Sequence, residues 1–86
     1  MRKKQFLRHF GQFIADNISD LEIDKIEYVI TDDGNEYAYI CYLNQSQKRI
    51  DITASSNIAI IQDIINNIEK TEYLLPSQRI NFYENN

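Results

Sequence analysis

Residues 28–40 read Tyr28-Val29-Ile30-Thr31-Asp32-Asp33-Gly34-Asn35-Glu36-Tyr37-Ala38-Tyr39-Ile40. Two runs rich in β-branched and aromatic residues flank an Asp-Gly pair. Asp33-Gly34 supplies the positive φ angles of a two-residue type I′ turn, so residues 22–31 and 36–43 are expected to form a hairpin. That turn pairs Asp32 with Asn35, Ile30 with Tyr37, Tyr28 with Tyr39 and Ile26 with Cys41. One face then holds Ile26, Tyr28, Ile30, Tyr37, Tyr39, Cys41 and Leu43, and should pack on the helices. The other holds Lys25, Glu27, Val29, Thr31, Glu36, Ala38, Ile40 and Tyr42, and is expected to lie open.

Outward from the hairpin, residues 2–17 place Phe6, Leu7, Phe10, Phe13, Ile14 and Ile18 on one helical stripe. Gly11 interrupts that helix at a cost of about 1 kcal/mol, and its missing side chain suits a close neighbour. Residues 48–54 alternate Ile50, Ile52 and Ala54 with Arg49, Asp51 and Thr53, a third strand. Ser55, Ser56 and Asn57 are competent caps for a second helix reaching about Thr71. Its apolar face is Ile58, Ile61, Ile65 and Ile68, widened by Ile60 and Ile64. Leu74-Leu75-Pro76 ends the regular part. Ile80 and Phe82 alternate in 79–83, which suits an edge strand, a docked segment or a mobile end. The expected fold is a two-layer α+β domain over 1–76, ordered α-β-β-β-α. Its three-stranded antiparallel sheet packs both helices on one face, and 77–86 forms a tail or edge segment.

The chain has 86 residues, 43% of them apolar, enough for one modest core. It has one cysteine, Cys41, and one histidine, His9, so neither an internal disulfide nor a zinc-ligand set is expected. Two glycines are too few for a phosphate-cradling loop, and no nucleophile is matched to a base. The expectation is a non-enzyme without metal or cofactor. No apolar stretch of membrane-spanning length occurs and the amino end has no secretory pattern, so a cytoplasmic setting is expected.

Charge is unevenly spread. Formal net charge is -4, yet Arg2, Lys3, Lys4 and Arg8 lie in the first eight residues. From Asp16 to Glu36 there are eight acids and one base, Lys25. Such a field repels nucleic acid and attracts basic surfaces. The element order is also that of double-stranded-RNA-binding domains. Their phosphate-contacting bases have no counterpart in Ser55-Ser56-Asn57-Ile58-Ala59, so direct nucleic-acid binding is not expected.

Residues 28–40, and Asp33-Gly34-Asn35-Glu36-Tyr37 above all, resemble the first hairpin of a small phage-encoded anti-CRISPR family that inhibits type II-A RNA-guided nucleases. The family members are similar in length, acidic, and start with a helix followed by three strands and a helix. In that family, acidic and polar residues at the turn occupy the PAM-reading site in place of DNA. The resemblance implies this role for Asp33, Asn35 and Glu36. The chain lacks the acidic run that follows the family's second helix, and its basic start is unusual for it. PAM recognition uses arginines, and carboxylates accept the same bidentate hydrogen bonds. The candidate contact set is therefore Asp32, Asp33, Asn35 and Glu36, with Glu27 and Tyr42 on the flanking strands. The expected partner is a basic nucleic-acid-binding protein. The alternative is a self-associating accessory module, a homodimer through the open sheet face or 79–83.

Overall fold

In the computed structural model, which describes residues 2–83, helix α1 spans Lys3–Asn17 and strand β1 Ile23–Ile30. Strands β2 (Glu36–Tyr42) and β3 (Gln47–Asp51) and helix α2 (Asn57–Ile68) follow. Short 3-10 turns lie at Ser19–Leu21 and Pro76–Gln78. The sheet is antiparallel in the order β1-β2-β3, so the α+β class and the element order are as the sequence implies. The third strand ends at Asp51 and α2 at Ile68, both short of the sequence-based bounds.

The hairpin register differs from expectation by one residue. Ile30 pairs with Glu36, Tyr28 with Ala38 and Ile26 with Ile40. The connection is a three-residue loop: the Gly34 N–H donates to the Thr31 carbonyl and the Thr31 N–H to the Asn35 carbonyl, each at 2.9 Å. Within the loop only Gly34 has a positive φ, +89°. A type I turn followed by a left-handed glycine needs one such angle, whereas a type I′ turn would also force Asp33 into that region. Because side chains alternate, one residue of slip turns β2 over. Ala38, Ile40 and Tyr42 therefore face the helices, and all three are buried. Tyr37, Tyr39 and Cys41 face the other way, and the open face expected at Ala38, Ile40 and Tyr42 does not exist.

The core lies between the helices and this face. Leu7 and Ile14 of α1 and Ile60 and Ile64 of α2 close over Ile26, Ile40 and Ile52. Burying each such side chain contributes about 1.5–3 kcal/mol. The apolar arc of α2 is centred on Ile60 and Ile64 rather than on Ile58 and Ile65, which stay exposed. The Ser56 hydroxyl caps the helix by accepting from the Ala59 N–H at 3.2 Å. The α1 helix rides directly on β1 at Gly11, where an added Cβ would lie 2.6 Å from the Ile26 backbone nitrogen.

The second sheet face is covered by the chain's own carboxyl-terminal segment. The Leu74 N–H donates to the Gln47 carbonyl at 2.8 Å, bringing the chain around the β3 edge. The Gln47 side-chain amide then clamps Ile80, donating to its carbonyl at 2.7 Å and accepting from its N–H at 3.1 Å. Phe82 meets Tyr39 edge-on at 5.6 Å, and the Lys25 ammonium sits 4.0 Å from the Tyr83 ring centroid. Residues 79–83 thus dock across the face without joining the ladder, and 84–86 of the tail lie outside the described residues. Cys41 is buried, on this face rather than the helix side, and burial pushes its thiol up to about 11.

Candidate functional site

The sequence-adjacent acids separate in space. Glu22 precedes β1 and Asp32 follows it, so eight strand residues at about 3.3 Å each set them roughly 25 Å apart. The acidic stretch is therefore two acidic ends, not one surface.

At the hairpin end, Thr31, Asp33 and Asn35 lock the loop. The Thr31 hydroxyl donates to an Asp33 carboxylate oxygen, and the Asn35 amide donates to the other at 3.2 Å. The Thr31 hydroxyl and the Asn35 backbone N–H hold Asp33 below the usual carboxylate range, so it stays ionised. Asp32 is exposed beside it. Among the described residues neither aspartate joins an ion pair. The tip is an exposed doublet of negative charge, with Asp33 fixed by the loop and Asp32 beside it.

Glu36 is not part of that free doublet. Its carboxylate accepts from the Lys3 ammonium at 2.7 Å, the Tyr28 hydroxyl at 2.5 Å and the Ala54 N–H at 3.3 Å. Ala54 has a left-handed φ of 59°, so Glu36 also secures the strained link between β3 and α2. One base of the α1 start thereby has a structural role: Lys3 anchors the helix to this acid and also reaches the Ile52 carbonyl at 3.3 Å. These donors, Lys3 first and Tyr28 second, lower the Glu36 carboxyl from 4.5 to about 2. A depressed carboxyl contributes stability above its unfolded value and loses it as pH falls through the folded one. Acid titration followed by circular dichroism should show stability falling between about pH 4.5 and 2. Glu36→Gln should flatten that window and cost about 2 kcal/mol at neutral pH.

Two further expected contacts are also committed elsewhere. Glu27 meets the Arg8 guanidinium at 3.5 Å. Tyr42 is buried on the helix side, edge-on to Tyr73 at 5.5 Å, and burial pushes its hydroxyl up to about 12. Of the six expected contact residues, the structure brings Asp32, Asp33 and Asn35 together at one exposed loop. Glu36 lies behind it, and Glu27 and Tyr42 face other neighbours.

No family model, no curated protein and no solved structure matches this chain.

The opposite end carries a feature that strand and turn patterns did not single out. A groove of about 410 Å³ runs between the carboxyl-terminal halves of the helices. Phe13, Ile14 and Ile18 line one wall and Ile65, Ile68 and Glu69 the other. Phe13 is 59% exposed, Ile65 53% and Ile18 43%. The available signal was the width of the two apolar stripes, each broader than one sheet face can cover. Among the described residues, no group of three or more His, Cys, Asp or Glu could hold a metal ion. Among the described residues, no helix is long and apolar enough to cross a membrane.

Proposed function

We propose that this protein is a small non-enzymatic inhibitor, acting in the cytoplasm, whose acidic hairpin tip occupies a basic nucleic-acid-binding site on another protein. The observation that carries this reading is the exposed Asp32-Asp33 doublet, with Asp33 fixed by Thr31 and Asn35 and neither acid in an ion pair among the described residues. Two exposed carboxylates on adjacent loop residues offer arginine the acceptors that a guanine edge or phosphate would offer. Their mutual repulsion is weak at a solvated surface and is relieved by a basic partner. The resemblance of residues 28–40 to the anti-CRISPR hairpin supports the same target class, an arginine-lined PAM-reading site. The contact set contracts to Asp32, Asp33 and Asn35, because Glu36 serves the fold.

The test is competition. Purified protein is titrated into a guide-loaded type II-A nuclease bound to a labelled PAM-containing duplex, at low and at high salt. The expected result is duplex release that weakens as salt rises. Asp32→Asn with Asp33→Asn should reduce potency at least about tenfold. Failure of the intact protein to compete, or equal potency of the double variant, would refute the mechanism.

A further inference from the structure

We infer that the groove between α1 and α2 is a docking site for an amphipathic helix of another protein, with apolar anchors flanked by lysine or arginine. This surface lies at the far end of β1 from the hairpin tip, so it stands independently of the inhibitor reading.

The apolar part of the argument is geometric. Both helices run from the hairpin end of the sheet toward the other. Lys3 at the start of α1 meets Glu36, and Lys48 near the start of β3 reaches the carbonyls of Asn67 and Ile68 at the end of α2. Two helices running the same way leave a furrow between them, and a third helix seats there by packing its ridges into the groove. No strand edge borders the furrow, which disfavours an added strand. Phe13 and Ile65 are each more than half exposed on facing walls, where an isolated domain gains nothing from them.

The electrostatic part selects the occupant. Glu69 is the charged residue among those lining the groove, and the α1 side that supplies Phe10, Phe13, Ile18 and Leu21 carries Asp16 and Asp20 with no lysine, arginine or histidine between residues 10 and 21. Neither helix has a base in its last turn, so the negative pole of α1 adds to this field. A second copy would bring the same acids against each other across an isologous contact, which charge opposes. A helix with leucine-like residues at i, i+3, i+4 and i+7 and cations on its flanks satisfies both the groove and its rim.

The experiment uses the full chain and a labelled helical peptide of about 16 residues, with leucines at that spacing and lysines elsewhere. Binding is read by fluorescence anisotropy. A second peptide replaces every lysine with glutamate, and a third scrambles the leucines. The lysine peptide should bind and weaken with salt, and both controls should bind at least about tenfold more weakly. Phe13→Gln with Ile65→Gln changes exposed side chains only, so circular dichroism should stay native while binding falls by a similar factor. Asp32→Asn with Asp33→Asn should leave peptide binding intact while weakening the duplex competition at least about tenfold. Equal binding of the three peptides, no binding of any, or unaltered binding by the groove variant would overturn the inference. So would a wild-type dimer in sedimentation that Phe13→Gln with Ile65→Gln dissolves, because the groove would then belong to a second copy.

Discussion

Gly11→Ala should destabilise the protein by about 2 kcal/mol and lower its melting temperature by about 10 °C. The sign is opposite to that of an ordinary helix glycine, where alanine gains about 1 kcal/mol through propensity. The added methyl would lie 2.6 Å from the Ile26 backbone nitrogen and 3.0 Å from the Ile26 Cβ. Neither atom can give way cheaply. Ile26 is fully buried, and its strand is held in register against Ile40. The helix must therefore lift from β1, which loosens Leu7 and Ile14 together. Gln5→Ala on the exposed side of the same helix is the control and should change little. Thermal unfolding of the three proteins decides it. A rise in melting temperature for Gly11→Ala would mean that the helix stands further off the strand than this packing requires.

That close approach was legible in the sequence as a glycine inside an apolar stripe, and so were the element order and the caps. The hairpin register was not, and the reason lies in β2. Its segment Tyr37-Ala38-Tyr39-Ile40-Cys41-Tyr42 is apolar at every position because both faces are covered, one by helices and one by the 79–83 segment. A strand buried on both faces carries no alternation, so the pattern cannot choose its phase. The choice fell to the turn, and Asp-Gly serves a two-residue and a three-residue loop alike.

The candidate site was legible only in part for a related reason. Sequence places Glu36 beside Asp33, but the pleat sends its carboxylate to the helix side, where Lys3 and Tyr28 hold it. Net charge along the chain likewise concealed that β1 separates Glu22 from Asp32. The apolar groove was hidden because helix periodicity marks which residues are apolar and not how much neighbouring surface exists to cover them.

Lys48 is the other position where a large effect is expected. It is in phase with Ile50 on β3, pairs with Ile40, and is only 3% exposed. Its ammonium donates to the Asn67 carbonyl at 2.7 Å, the Ile68 carbonyl at 3.0 Å and the Lys70 carbonyl. The Tyr73 and Tyr42 rings lie 4.9 and 5.5 Å away, presenting π-electron density to the charge. Among the described residues no carboxylate forms an ion pair with it, and burial lowers the Lys48 pKa from its usual 10.5. The charge is offset by α2's unsatisfied carbonyls and the negative end of its dipole. One side chain thus closes the helix terminus from beneath. Lys48→Met keeps the stem but leaves three carbonyls without their donor, and should cost about 2–4 kcal/mol. For a domain whose total stability is about 5–10 kcal/mol, that is a large fraction. Urea denaturation gives the loss, and amide exchange should show it concentrated in the last turn of α2, near Asn67 and Ile68. A Lys48→Met protein as stable as the parent would mean that desolvating the ammonium cancels everything its three hydrogen bonds contribute.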